Sequence, residues 1–249
     1  MGIPSDHPRA KSLYIREMLV NGFRLGLVVP EGLIAHGRGE AYDYLIGERT
    51  TRAARCAIEA AAATMLLSSR AVISVNGNTA ALCPNTVVEL AEVAGASIEV
   101  NIFYRTEERE KAIKAELEKH GAKKILGVGP KASARIPELQ SERRRVDSNG
   151  IYAADTVLVP LEDGDRTEAL IKMNKTVITI DLNPLSRTSR AADITIVDNI
   201  VRAMPALVHA VHKLRNTTTT TAMSLKRIAD NFDNSKNLQE SLKIIKGEG

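Results

Sequence analysis

Short apolar runs and amphipathic segments alternate along most of this chain. Runs of β-branched and aliphatic residues, bounded by turn residues, predict buried strands at 71–75, 97–102, 125–128, 156–161, 176–182 and 193–197. Segments with apolar residues at helical spacing predict helices at 84–94, 106–120, 166–173 and 200–214. Strand and helix are therefore expected to alternate through the centre of the chain.

The region before the first predicted strand is expected to hold two long helices. An aspartate and a proline give a helix-start signal before apolar residues at helical spacing over 8–25. Thr50 or Thr51 can cap a second helix that ends near residue 69. The glycine-rich segment 36–40 lies between these helices and predicts a tight turn.

The carboxyl-terminal region is predicted to be a linker and a helical tail. The threonine run 217–221 has no apolar periodicity, which is typical of a linker. Residues 223–245 then show helical spacing, broken at 231–237. We expect this tail to pack against the body of the protein or against a second subunit.

Strands this apolar, joined by helices long enough for crossover connections, require a parallel sheet that is covered on both faces. We therefore expect an α/β fold, a Rossmann-like three-layer sandwich with a mostly parallel sheet. At 249 residues the chain is near the upper size for one hydrophobic core. The expected division is an N-terminal helical segment at 1–70 packed on a core at 71–215, with the linker and tail at 216–249.

The composition excludes several classes of protein. Hydrophobic residues make up 44% of the chain and charged residues 26%, which is ordinary for a globular protein. No apolar run approaches the roughly 20 residues needed to cross a bilayer, and the polar N-terminus does not resemble a signal peptide. The formal charge is only +4 and aromatic residues are 3%, so a nucleic-acid platform is poorly supported and small anionic ligands fit better.

The cysteine content favours a reducing compartment. Cys56 and Cys83 are the only cysteines, and two thiols give neither a metal-binding spacing nor a disulfide framework. We expect a cytoplasmic protein in which both are small buried side chains. Neither is flanked by a histidine that could activate it for catalysis.

Two familiar nucleotide motifs do not account for this chain. Residues 127–132 fit a loose G-x-G-x-x-A pattern, but no crossover helix follows and Pro130 interrupts the turn. The chain has no G-x-x-x-x-G-K-[ST] motif, so an ATP site here cannot be a P-loop. Phosphate contacts would have to come from elsewhere, and arginines near glycines are the natural candidates.

The segment 36–40 is one such candidate. Its glycines would allow a polyphosphate to approach the backbone, and the Arg38 guanidinium could bind phosphate through several donors. A tight turn with a solvated arginine explains the same residues. His36 alone would more often be a structural hydrogen-bonding residue than an acid or base.

Polar residues also follow the later strands. At the carboxyl edge of a sheet, Asp181 could accept hydrogen bonds from a ribose or adenine, and Arg187 with Thr188 could hold phosphate. A turn at 183–184 with Asp181 as a cap explains the same residues. Asp198 and Asn199 open the next helix, either as a cap or as part of an anion site.

Two charge clusters allow a functional and a structural interpretation. Arg143, Arg144 and Arg145 could grip a terminal phosphate from a mobile loop, or simply form a solvated charged surface. The acidic residues within 162–167 could coordinate Mg²⁺ or bind an ammonium, although capping of the next helix explains them equally well.

Taken together, several of these segments resemble one protein family across nearly the whole chain, the archaeal phosphopantothenate synthetases, or 4-phosphopantoate:β-alanine ligases. The segments that carry the resemblance are residues 3–9, 32–41, 74–80, 103–108, 141–147, 159–168 and 180–188. The resemblance implies a homodimeric Rossmann-like enzyme of coenzyme A biosynthesis. Such an enzyme makes 4'-phosphopantothenate from 4-phosphopantoate, β-alanine and ATP, with release of AMP and diphosphate, and Mg²⁺ is the expected metal.

The resemblance also implies site residues. Its ATP site falls on Arg16, Arg38, Asp181, Leu182, Asn183, Arg187, Thr188, Asn199 and Ile200. The candidates for catalysis are His36, Arg38 and Arg187, and those for substrate binding are Asn76, Asn78, Arg143, Arg144 and Arg145. No metal ligands are assigned. The alternative function is a nonenzymatic nucleotide-sensing module, in which the same sheet-edge loops would bind ATP without a second substrate.

Overall fold

The structure is a computed structural model, and it describes residue 4, residues 6–137 and residues 139–248. Its strands are β1 (Ala71–Val75), β2 (Ser97–Val100), β3 (Ile125–Leu126), β4 (Ala134–Arg135), β5 (Arg145–Val146), β6 (Thr156–Pro160), β7 (Thr176–Ile180) and β8 (Ile194–Ile196). Its helices are α1 (Ala10–Arg24), α2 (Pro30–Leu45), α3 (Arg52–Leu67), α4 (Gly77–Leu82), α5 (Pro84–Ala94), α6 (Glu107–Lys119), α7 (Gly164–Lys172), α8 (Arg187–Ala191), α9 (Ile200–Asn216), α10 (Ala222–Asp230) and α11 (Asn234–Ile245).

Six strands form one parallel sheet in the order β3-β2-β1-β6-β7-β8. The chain therefore builds the sheet outward from β1 in one direction and then outward from β6 in the other. β4 and β5 form a separate antiparallel pair. The predicted α/β, Rossmann-like fold is confirmed.

The two faces of the sheet pack into two separate cores, because side chains alternate along each strand. Ile73 and Leu158 belong to the larger core, which includes residues of α1, α3, α5 and α9. Their neighbours Val72 and Val157 belong to the smaller core, covered by α7 and by the irregular segment 132–154. No crossover helix was predicted for 133–150, and the described residues of this segment form no α-helix. The segment carries Arg143, which lines the candidate site described below.

The glycine-rich segment 36–40 is not the predicted turn, because it lies in the middle of α2. Pro30 occupies the first turn of this helix, where a missing N–H costs nothing. A glycine inside a helix costs only about 1 kcal/mol relative to alanine. Burial of Glu40 and Asp43 against the rest of the protein is therefore able to keep the segment helical.

Two short helices, α4 and α8, were also missed, and each begins where a side chain caps it. Asn76 accepts a hydrogen bond from the Thr79 N–H, and Ser186 accepts one from the Ser189 N–H. The break in the tail is shorter than predicted, because α11 already begins at Asn234. Other predicted helices agree with the structure to within a few residues.

The prediction that both cysteines are buried was wrong for one of them. Cys83 is buried, but Cys56 is exposed on α3. Its helix is so rich in alanine that burial of the small residues around it does not fix which positions face solvent. Among the described residues, no helix is long and apolar enough to cross a membrane.

Candidate active site

A cavity of about 760 Å³ opens at the carboxyl edge of the sheet, where the direction of sheet building reverses between β1 and β6. Ligands bind preferentially at such a switch point in open α/β sheets, because the flanking loops diverge there. The cavity walls come from α2, from the start of α4 and from the loops after β2, β6, β7 and β8.

Asn76 joins the two strands at this switch point. Its amide nitrogen donates to the carbonyl oxygens of Pro160 at 2.9 Å and Leu161 at 3.1 Å, and its amide oxygen caps α4. Asn78 donates to the Gly32 carbonyl at 2.9 Å and so ties α4 to α2. Both predicted substrate-binding asparagines line the cavity, and both also hold its walls together.

One end of the cavity is formed by the loop after β7. Asp181 is raised in pKa by burial, although it accepts hydrogen bonds from the Ser186 hydroxyl at 2.5 Å and the Asn183 N–H at 2.9 Å. Leu182 and Thr188 line the cavity beside it. This loop presents carboxylate, amide and hydroxyl groups at the position where a nucleoside is commonly bound.

The start of α9 lies next to this loop. Asn199 caps the helix by accepting from the Val201 N–H at 3.2 Å, and its amide donates to Asp43 on α2 at 2.8 Å. Arg202 bridges Asp43 and Asp198 at 2.5 Å and 2.7 Å. The ion pairs fix α2 against α9, so the predicted residues Asn199 and Ile200 reach the cavity from a rigid support.

His36 and Arg38 line the cavity from α2. Burial lowers the pKa of His36, and its Nε2 atom is buried without a hydrogen-bond partner. Glu40, one turn further along, is bound by Arg16 through a bidentate pair with a shortest distance of 2.7 Å. Despite the burial of Glu40, the hydrogen bonds from Arg16 and Tyr44 lower its pKa.

The opposite end of the cavity contains Arg143, which is only 8% exposed. Burial lowers its pKa to about 10. Its guanidinium contacts Glu162 and lies 3.4 Å from Asp163, and it stands over the Phe103 ring at 5.9 Å. Arg143 is thus not part of a solvated charged surface.

Beneath it, Arg166 is fully buried, and burial lowers its pKa to about 10. Arg166 contacts Glu162 and donates to the Ser74 hydroxyl at 3.0 Å. Glu162 therefore lies between two buried arginines. The sequence indicated a cluster of acids here but not these partners, which lie far away along the chain or on the next helix.

The structure brings together His36, Arg38, Asn76, Asn78, Arg143, Asp181, Leu182, Asn183, Thr188, Asn199 and Ile200 around one cavity. Four predicted site residues lie outside its lining. Arg187 lines a neighbouring groove and pairs with Asp165 at 2.6 Å and Glu168 at 2.9 Å. The others are Arg16 on α1, which pairs with Glu40 of α2 at 2.7 Å, and Arg144 and Arg145, which follow Arg143 along the chain.

The sequence analysis did not identify Arg109 and Asn101, which both contribute to the part of the cavity that contains Arg143. Arg109 lines the cavity from the first turn of α6, and Asn101 holds the segment that carries Arg143. Arg109 had no local motif that could distinguish it from the other charges of its helix. Asn101 stood at the end of a predicted strand, and that position was the one available signal.

The described residues do not bring together a group of three or more His, Cys, Asp or Glu side chains suited to a metal ion. Of the acids within 162–167 that could have coordinated Mg²⁺, Glu162 and Asp163 contact Arg143, and Asp165 pairs with Arg187. Their charge is therefore already balanced by a cation, which fits poorly with an all-protein Mg²⁺ site.

Comparison with known proteins shows the family to which this chain belongs. Residues 53–248 match the family model described as phosphopantothenate/pantothenate synthetase. The chain belongs to this family. The 4-phosphopantoate–β-alanine ligase of Thermococcus kodakarensis is 53% identical over 247 residues, which cover 99% of this chain and 93% of the relative. The ligase of the same name from Methanosarcina mazei is 50% identical over 243 residues, covering 98% of this chain and 94% of the relative. The resemblance predicted from sequence is thus confirmed.

Proposed function

We propose that this chain is an ATP-dependent ligase that joins 4-phosphopantoate to β-alanine, giving 4'-phosphopantothenate, AMP and diphosphate in coenzyme A biosynthesis. The observation that carries the proposal is one cavity with two chemically different ends. Asp181 and Asn183 provide hydrogen-bonding groups for a nucleoside at one end, and the buried Arg143 provides positive charge at the other. The relatives described above are named 4-phosphopantoate–β-alanine ligases and align over nearly the whole chain.

The reaction proceeds in two steps. A carboxylate does not condense with an amine at neutral pH, so a carboxylate oxygen of phosphopantoate first attacks the α-phosphorus of ATP and displaces diphosphate. The β-alanine amine, once deprotonated, then attacks the carbonyl carbon of the acyl adenylate and displaces AMP. Catalysis of such steps rests mainly on positioning and on balancing phosphate charge, which suits a site that is lined with arginines.

In this proposal Arg38 and His36 act on the reacting groups from α2. Arg38 lines the cavity and has no carboxylate within ion-pair distance among the described residues, so its donors can bind the phosphates of ATP. Burial lowers the pKa of His36, which keeps its imidazole neutral near neutral pH and able to accept a proton from the β-alanine ammonium.

Arg16 and Arg187 complete the proposed nucleotide site only by exchanging partners. Arg16 is bound to Glu40, and Arg187 to Asp165 and Glu168. Phosphate oxygens would replace these carboxylates when ATP binds. Such an exchange is inexpensive for Arg187, because exposed ion pairs are screened by solvent and contribute little to stability.

In this proposal Mg²⁺ binds together with ATP. Mg²⁺ usually keeps several waters and takes few protein ligands besides substrate phosphates. Because Glu162 and Asp163 contact Arg143, they are not assigned as its ligands. The ion would supply charge neutralisation at the phosphates of ATP.

The proposal includes a cytoplasmic homodimer that binds neither membrane nor nucleic acid. Large apolar side chains are exposed on α1, on α2 and beside them at Tyr14, Phe23, Leu25, Ile34 and Leu45. Exposed apolar surface of this kind supports an interface between copies of the chain. Light scattering of the purified protein tests the dimer.

The two free cysteines support the cytoplasmic part of the proposal, because thiols stay reduced in that compartment.

The activity is tested by measuring AMP and diphosphate release by the purified chain while each substrate is omitted in turn. We expect product only when ATP, 4-phosphopantoate and β-alanine are all present. Binding of ATP without product in the complete mixture would contradict the proposal and favour the nucleotide-sensing module.

A further inference from the structure

The Arg109 guanidinium is fixed at the edge of the cavity by two neutral partners. Its Nη2 atom donates to the Leu27 carbonyl at 2.9 Å, and its Nη1 atom contacts the Tyr104 carbonyl. No carboxylate of the described residues lies within ion-pair distance of it. A guanidinium has five N–H donors, and the two carbonyls accept hydrogen bonds from two of them. The other donors are left for a ligand, and the neutral carbonyls do not cancel the positive charge.

Such an arrangement is unfavourable for a partly buried cation. Burial lowers the pKa of Arg109, and the charge of Glu31, which lies beyond ion-pair distance, only partly opposes this effect. Elsewhere on this side of the molecule the buried arginines are paired, as Arg105 is with Glu110 at 2.5 Å and Arg166 with Glu162. An unpaired, half-buried arginine in a cavity wall points to an anionic ligand.

Arg143 lies close enough for the two cations to repel each other. Burial is the main reason that the pKa of Arg143 is lowered to about 10, and the charges of Arg166 and Arg109 lower it further. The Nε atoms of both Arg109 and Arg143 are buried without a hydrogen-bond partner. Two neighbouring guanidinium groups with unused donors match the several oxygens and the double charge of a phosphate monoester.

The protein backbone is shaped to allow this position of Arg109. Gly77 begins α4 at the point where the Leu27 carbonyl and the Arg109 side chain meet. A Cβ atom at Gly77 would lie 2.1 Å from the Leu27 oxygen and 3.0 Å from Nη2 of Arg109. Only glycine therefore permits this contact without movement of the backbone.

We infer that Arg109 and Arg143 together bind a phosphate monoester dianion, and that this is the terminal phosphate of the acyl substrate. The inference rests on the proposed function, from which it takes 4-phosphopantoate as the ligand. Arg143 is partly neutralised by Glu162 and Asp163, whereas no carboxylate of the described residues forms an ion pair with Arg109 and Glu31 acts on it only from a longer distance. The phosphates of ATP share this chemistry, but the proposed nucleoside end around Asp181 lies on the loop after β7, away from α6.

The test compares Arg109→Gln and Arg109→Lys with Lys124→Gln. Lys124 is exposed and precedes β3, at the amino edge of the sheet, so its replacement removes one positive charge far from the cavity. For Arg109→Gln we expect the KM for 4-phosphopantoate to rise on the order of tenfold to a hundredfold, because a charge-assisted phosphate contact is lost. The KM for ATP should stay near that of the Lys124→Gln control.

Arg109→Lys keeps the positive charge but loses the planar guanidinium with its several N–H donors. We therefore expect a smaller rise in the KM for 4-phosphopantoate. This variant also carries the test if Arg109→Gln does not fold, as judged by circular dichroism. An increase confined to the KM for ATP would assign Arg109 to the nucleotide phosphates and overturn the inference. Equal KM values for 4-phosphopantoate in the wild type and both variants would overturn it as well.

Calorimetric binding of 4-phosphopantoate separates this inference from the proposed function, because it needs no turnover. If the wild type makes no product yet binds 4-phosphopantoate, and Arg109→Gln binds it at least tenfold more weakly, the phosphate site stands and the proposed ligase activity fails. Product formation with equal binding by both proteins would leave the activity intact and refute the role of Arg109.

Discussion

The side-chain amide of Asn101 donates to the backbone carbonyl of Arg143 at 3.1 Å. It makes a second bond of 3.1 Å to the carbonyl of Arg145, two residues further on. Asn101 follows β2 at the carboxyl edge of the sheet and is fully buried. A rigid strand end thus fixes the backbone of the segment that brings the Arg143 guanidinium to the cavity.

Replacement of Asn101 by alanine should therefore damage both stability and substrate binding. It removes the Asn101 donor from the buried Arg143 carbonyl, which costs about 1–3 kcal/mol, and leaves the Arg145 carbonyl a bond of 3.4 Å from Arg105. We expect a lower free energy of unfolding in urea than for the wild type. We also expect the KM for 4-phosphopantoate to rise more than the KM for ATP. The control is Asn85→Ala, an exposed position at which the stability should change by less than about 0.5 kcal/mol. Loss of stability with an unchanged KM would restrict Asn101 to a structural role.

The sequence predicted the sheet better than the site, and the reason is physical. Apolar runs such as 71–75 and 176–180 form strands because their burial is required wherever they lie. The turn expected at 36–40 was wrong because helix α2 is maintained by distant partners, such as Arg202 for Asp43. Local propensity does not contain those contacts.

The same distinction explains the site residues. Asp181 and Asn199 could be predicted because they directly follow strands or open helices at a known edge of the fold. Arg109 could not, because its role depends on the Leu27 carbonyl, which is 82 residues away along the chain. The resemblance to a family supplied residues such as Asn78 that no local pattern had indicated.

Glu99 should make the stability of the protein fall as the pH rises. It is buried in β2 and accepts hydrogen bonds from the N–H groups of Asp147 at 3.0 Å and Ile151 at 2.6 Å. Burial outweighs these bonds and raises its pKa from 4.5 to about 7. Between these values the folded state retains a proton that the unfolded state releases, so stability decreases with increasing pH across this range.

The comparison with Glu99→Gln isolates this effect from that of other groups. We expect the stability of the wild type relative to the variant, from urea unfolding, to fall by up to roughly 3 kcal/mol between pH 4.5 and pH 7.5. The relative stability should be constant above that range. A wild type that gains stability over the variant as the pH rises would show that the bonds to Asp147 and Ile151 dominate.

The cysteines are expected to be dispensable for turnover. Burial raises the pKa of Cys83 to about 12, so it stays a thiol at neutral pH, and Cys56 is exposed on α3, away from the residues that line the cavity. The double variant Cys56→Ser/Cys83→Ala should make product at nearly the wild-type rate. Iodoacetamide should modify Cys56 alone in the folded wild type. A folded double variant that binds ATP but makes no product would indicate covalent catalysis.

An acyl adenylate intermediate predicts the fate of one oxygen atom. When the carboxylate of phosphopantoate attacks the α-phosphorus, one of its oxygens becomes part of the AMP that leaves in the second step. Carboxyl-labelled ¹⁸O phosphopantoate should therefore transfer label to AMP, as measured by mass spectrometry. Label in inorganic phosphate instead would establish an acyl phosphate and exclude the proposed sequence of steps.

The three consecutive arginines should differ sharply in their effect on 4-phosphopantoate. Arg143 lines the cavity, whereas Arg145 lies 3.6 Å from Glu142, and neither Arg144 nor Arg145 contributes to the cavity wall. Arg143→Ala should raise the KM for 4-phosphopantoate on the order of tenfold to a hundredfold while leaving that for ATP nearly unchanged.

Arg144→Ala and Arg145→Ala serve as matched controls, since each removes the same charge from the same segment. Unphosphorylated pantoate supplies a second control, because any turnover of it would not depend on a phosphate contact. If Arg143→Ala lowers that turnover as much as it lowers turnover of the natural substrate, Arg143 supports the fold through Glu162 and does not bind the phosphate. A larger effect of Arg144 or Arg145 than of Arg143 would instead require this segment to rearrange when the substrate binds.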